Sequence, residues 1–124
     1  MQEGIISGFC DNNYISLVFD VPGVPAGSLM STGLLTIKLT ETAPDSAIVI
    51  SKTITTTNVP GTGHIVDDGA SGIGEIRFDL PAVDTGLLIP DVQYRYWVDI
   101  VLDSGEPSTL ERGIIFSKQG SDHA

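Results

Sequence analysis

Residues 94–118, YRYWVDIVLDSGEPSTLERGIIFSK, constrain the fold more than any other stretch of this chain. Tyr94, Tyr96, Val98, Ile100 and Leu102 recur at every second position, with Arg95, Trp97, Asp99, Val101 and Asp103 between them. A helix repeats its faces about every 3.6 residues, so this pattern cannot be helical. It sends the two sets of side chains to opposite faces of a strand. The five residues 103–107, DSGEP, then supply turn chemistry. Gly105 accepts positive φ, and Pro107 presets φ as the chain re-enters an extended run over 108–118. The expectation is a β-hairpin whose first strand buries Tyr94, Tyr96, Val98 and Ile100.

The rest of the chain repeats this style. Residues 13–21 alternate, with Ile15, Leu17 and Phe19 on one face and Tyr14, Ser16 and Val18 on the other. The Pro/Gly cluster over 22–27 ends that strand, because proline lacks the ladder donor. Residues 33–40 follow, with Leu35, Ile37 and Leu39 in one phase. An acidic turn is expected over 41–45. Residues 47–57 are rich in Ile, Val and Thr and read as a long strand. Lys52 falls in phase with Ile48, Ile50 and Ile54, which places it at an exposed end or next to a bulge that shifts the register. A loop-rich middle over 58–74 holds a brief strand at 64–66. Residues 75–80 alternate again, with Ile76, Phe78 and Leu80 inward and Glu75, Arg77 and Asp79 outward. One helical turn fits 81–85. Residues 4–9 read as an edge strand or N-terminal arm, within residues 1–10, and residues 119–124 as a frayed tail. Short strands separated by turn signals predict an all-β fold, an immunoglobulin-like antiparallel β-sandwich of about seven strands.

At 124 residues the chain reads as a single domain. A chain of this length buries roughly two-thirds of its unfolded surface, enough for a core without covalent staples. Cys10 is alone, so no intrachain disulfide is possible, and it reads as a small hydrophobe rather than a reactive thiol. Six Lys plus Arg stand against 16 Asp plus Glu, for a formal net charge of −10. Phosphate backbones and anionic membranes need clustered cations, so neither nucleic acid nor a membrane surface is expected as a direct partner. There is no basic leader followed by an apolar run, and no stretch approaches the ~20 apolar residues of a spanning helix. The expectation is a chain made and kept without standard secretory export.

Chemistry has few footholds. His64 lies close to Asp67 and Asp68, a grouping that could hold a divalent cation or move a proton. The plainer reading is a polar loop tip. Asp67-Asp68-Gly69 opens like a calcium loop but lacks the alternating acidic positions and the later glutamate. The glycine-rich run 69–74 would cradle a phosphate only if a helix followed, and a strand follows instead. No nucleophile elbow is present. No catalytic residue, cofactor or metal site is therefore expected. The candidates for contact are Trp97, Asp99 and Val101 on the outward phase of the hairpin, with Val18 on another strand. Trp97 is either an interface or ligand-stacking residue, or an aromatic covered by a loop or edge.

The order of these pieces resembles a known family. Tyr-x-Tyr-x-Val-x-Ile from Tyr94, then Asp-Ser-Gly-Glu, then Thr109-Leu110-x-Arg112-Gly113, is similar to the closing hairpin of immunoglobulin-like domains in tailed-bacteriophage virion proteins. The N-terminal domains of phage upper-baseplate proteins are similar. Asp11-Asn12-Asn13 resembles the family's opening polar turn, and Thr32-Gly33 its entry into a strand. Gly74-Glu75-Ile76-Arg77-Phe78, followed by Asp84-Thr85, resembles the passage into the last hairpin. The likeness runs over about residues 11–118, and the departures are the insertion at 22–30 and the long loop at 58–74. It implies a non-enzymatic structural protein of the virion: a capsid decoration, neck, tail or baseplate component. Its implied partners are other virion proteins and further copies of itself. A carbohydrate- or receptor-binding β-sandwich is the second expectation. A small hydrolase or metal enzyme built on His64, Asp67 and Asp68 is the third.

Overall fold

A computed structural model describes residues 2–25, 27–40 and 47–118. The acidic turn expected at 41–45 and the tail at 119–124 lie outside the described residues. Among the described residues, eight strands form two sheets. They are β1 (Gln2–Ile6), β2 (Ile15–Pro22), β3 (Met30–Lys38), β4 (Ile48–Ile54), β5 (Gly63–Asp67), β6 (Ile73–Leu80), β7 (Tyr94–Leu102) and β8 (Pro107–Ile115). A single helical turn, α1 (Ala82–Thr85), bridges β6 to β7. The larger sheet has the order β1-β8-β7-β3-β4 and the smaller β2-β6-β5. Strands two, six and five against strands eight, seven, three and four reproduce the immunoglobulin-like division of a sandwich.

The strand count and direction differ in part from the sequence reading. The brief strand near residue 64 and the N-terminal edge strand both form, which makes eight strands rather than seven. The sandwich is also not wholly antiparallel: β1 pairs with β8 in parallel, Gly4 opposite Gly113. Alternation reveals faces but not direction, so this pairing was not legible. It depends on two glycines. A Cβ at Gly113 would overlap the Gly4 backbone, and one at Gly4 would overlap the Tyr96 hydroxyl.

The core lies between the sheets. Leu35, Ile37, Tyr96 and Val98 from the larger sheet meet Ile76, Phe78 and Leu80 from the smaller, and all seven are fully buried. The period of two explains these assignments. Leu39 does not follow it: β3 ends at Lys38 and Leu39 is exposed. Asp79 points away from the core, as its phase requires, yet it is buried. Ser16 Oγ donates to its carboxylate at 3.0 Å, Arg77 pairs with it at 3.2 Å, and the Tyr14 phenol also bonds it. Lys52 is neither at an exposed end nor beside a bulge. It points into the sandwich and is held by the Gly61 carbonyl at 2.9 Å and the Asp84 carboxylate at 2.6 Å. The register shift of β4 falls instead near Val49.

The connection after β6 is built like a tyrosine corner, in which a tyrosine at the start of the seventh strand bonds back to upstream backbone. The Ile89 N–H donates to the Tyr94 hydroxyl at 3.1 Å. Buried Thr85 donates to the Asn13 carbonyl at 2.7 Å, and buried Ser117 to the Leu88 carbonyl at 3.3 Å. At the opposite end the 22–29 segment is tied down. The Gly23 and Val24 amides donate to the Gly72 carbonyl, and the Asp103 amide donates to the Leu29 carbonyl. Gly23, Val24 and Leu29 of the insertion are thus anchored to two neighbouring turns.

Candidate interaction face

Trp97 sits at the middle of the larger sheet's outer face. One register row crosses all five strands there: Glu3, Arg112, Trp97, Thr36 and Ser51. The next row carries Ile5, Ile114, Arg95 and Lys38. Each strand contributes by the same alternation, because the residues flanking a buried position must face out. Lys38 Nζ lies 5.8 Å from the centroid of the Trp97 ring, within cation–π reach. Glu3 and Arg112 approach to 3.5 Å. Glu3, Ile5, Arg95, Trp97, Arg112 and Ile114 border a shallow depression of about 600 Å³.

The face is electrostatically unlike the rest of the molecule. The chain has six Lys plus Arg, and three of them, Lys38, Arg95 and Arg112, surround one indole. The face gathers half of the chain's cations, alongside Glu3 and Asp99, on a chain of net charge −10. Directly beneath it, the Tyr96 phenol donates to Glu111. Burial, reinforced by that carboxylate, holds the phenol well above the usual tyrosine range. An irregularity in the β7–β8 register lies next to this contact, at Val98/Asp99. It inserts one extra residue in β8, so that Leu110 packs on the core while Glu111 reaches Tyr96.

The four candidate contact residues do not form one site. Trp97, Asp99 and Val101 share the outer face of β7. The Asp99 carboxylate is engaged by Thr109, whose hydroxyl donates to it at 2.7 Å. Val101 is half-buried between Thr32 and Pro107. Val18 lies on the outer face of the smaller sheet, on the other side of the sandwich, opposite Arg77 and 55% exposed. Periodicity assigns a residue to the outside of its own sheet; it cannot say which sheet. Arg95 was visible in phase with Trp97. Glu3, Lys38 and Arg112 join them only through cross-strand register.

Asp67 and Asp68 have local duties, whereas His64 Nδ1 is buried with no hydrogen-bond partner among the described residues. Asp67 accepts the Gly69 N–H at 2.9 Å and Asp68 the Ala70 N–H at 3.2 Å, the side-chain bonds of tight polar turns. His64 stands opposite Arg77 on β5. Among the described residues, no group of three or more His, Cys, Asp or Glu side chains is placed to hold a metal ion. Residues 69–72 lie in the turn of the β5–β6 hairpin, and 73–74 already open strand β6. No helix among the described residues is long and apolar enough to cross a membrane.

Comparison with models of known protein families finds no match, and comparison with curated proteins finds no significant relative.

Proposed function

We propose that this chain is a non-enzymatic structural protein of a tailed-bacteriophage particle, acting through protein–protein contacts. The observation that carries this reading is the Trp97 face: one partly exposed tryptophan, beside Lys38, Arg95 and Arg112, on a five-stranded sheet. Tryptophan and arginine are the residues most often found where binding energy concentrates in an interface. The order of sequence elements, similar to that of virion immunoglobulin-like domains, supports the assignment to a phage particle. The partners are other capsid, neck or tail proteins and further copies of the chain, not nucleic acid or membrane. The protein would be made in the host cytoplasm and end in the virion. Mass spectrometry of purified particles tests this: the chain should be present in fixed stoichiometry, and its absence would overturn the proposal.

A second reading, a carbohydrate- or receptor-binding sandwich, is favoured by the depression against the Trp97 ring. An indole beside guanidinium groups can stack on a sugar ring and hydrogen-bond its hydroxyls. A glycan panel read by thermal shift separates the two, since a ligand bound only by the folded state raises the Tm.

A further inference from the structure

We infer that β2 is a docking edge for β2 of a second copy, joining two smaller sheets into one continuous six-stranded sheet about a two-fold axis. Among the described residues β2 pairs with β6 alone, and its other edge has no strand. Exposed edges are templates for further pairing, and proteins blunt them with bulges, lysines, prolines or short length. The other edges here are blunted. β5 has five residues, a register shift between Ile65 and Asp67, and the Thr55 carbonyl taking the Ile65 N–H at 2.7 Å. β4 carries Lys52 and a shift near Val49. β1 has only five residues.

β2 has none of these devices. Its eight-residue register with β6 runs without a shift, its only proline is the last residue, and its only charge is Asp20. Its inner-face residues also show a missing neighbour. Ile15, Leu17 and Phe19 are only partly buried, whereas their partners on β6, Leu80, Phe78 and Ile76, are fully buried. Beside this flank lies a second depression of about 570 Å³, walled by Val21, Pro22, Ile100, Leu102 and Leu110. β1 cannot cover that part of β8, because it pairs only with the 111–115 half.

The occupant is indicated by the strand's self-complementarity. Antiparallel pairing centred on Val18 overlaps residues 15–21 and leaves only Pro22 beyond the partner strand. It sets Val18 against Val18, Leu17 against Phe19, Ile15 against Val21, and Asp20 against Ser16. Every apolar residue of 15–21 then meets an apolar one, and Asp20 meets the neutral Ser16, whose hydroxyl donates to Asp79, rather than a second acid. A parallel in-register pair would instead oppose Asp20 to Asp20. The added strand's Leu17 and Phe19 would extend the core along the open flank. A one-strand contact buries less than the roughly 1,200–2,000 Å² of a stable complex, so the dimer is weak and concentration-dependent.

Sedimentation equilibrium of the full chain over a wide concentration range tests this. The wild type should show a reversible monomer–dimer equilibrium. Val18→Lys places two like charges at the axis and should leave only monomer, with unchanged circular dichroism and Tm. Trp97→Ala should leave the equilibrium unmoved. In a Cys10→Ser background, Val18→Cys should give a disulfide-linked dimer under mild oxidation. A wild type monomeric at every concentration would overturn the proposal, leaving the edge to a strand of another protein. So would a dimer that survives Val18→Lys or is lost with Trp97→Ala.

Discussion

A tyrosine hydroxyl with no access to water must donate, and Tyr96 donates to Glu111 beneath the outer face. The pair ties β7 to β8 and has a consequence for pH. The folded phenol titrates above its unfolded value, so its stabilisation is complete below a pH of about 10 and declines as the unfolded phenol ionises above that. Stability should therefore fall as pH rises past that point. Tyr96→Phe should make the alkaline limb shallower, as measured by denaturant midpoints across that range. Lys52 is the second residue whose role is set by its contacts. Lys52→Met would leave the Asp84 carboxylate and the Gly61 carbonyl without their partner at a largely enclosed site. The expected cost is about 1–3 kcal/mol, read by chemical denaturation.

At the scale of elements, β1 and β7 make the sharpest predictions. The close approach of Gly4 and Gly113 leaves no room for a side chain on β8 at that row. Gly113→Ala should detach β1. Native-state hydrogen exchange should then show faster exchange at Ile5 and Ile6, while the β3 and β7 amides stay protected. On β7 the two phases separate assembly from folding. Ile100→Ala removes a core side chain and should cost about 2–5 kcal/mol. Trp97→Ala, on the outer face, should change monomer stability by under about 1 kcal/mol while weakening attachment to a partner. A comparable loss of stability in both variants would reject the separation. The same strand illustrates what can be read in advance. Its alternation identifies Tyr94, Tyr96 and Val98 as core because a period of two has one geometric meaning. Arg95 could be placed beside Trp97 by phase, but Lys38 and Arg112 could not, because cross-strand register leaves no local trace in the sequence.

For the molecule as a whole, both ends of the sandwich are tied by backbone hydrogen bonds, and one core joins the two sheets. Unfolding should be a single cooperative event, with Trp97 fluorescence and far-ultraviolet circular dichroism melting together. Transitions at different temperatures would show that the sheets unfold separately. Periodicity and turn chemistry by themselves determined the fold class, most strand positions, the α1 turn and the inward faces of β6 and β7, because these depend on neighbours within a few residues. Tertiary structure alone decided that β1 runs parallel to β8, that Lys52 and Asp79 are enclosed, and that Val18 lies on the opposite side from Trp97. It also decided that β2 is left with an open edge. Those outcomes depend on which strands meet across the sandwich, and alternation is the same whichever neighbour a strand finds.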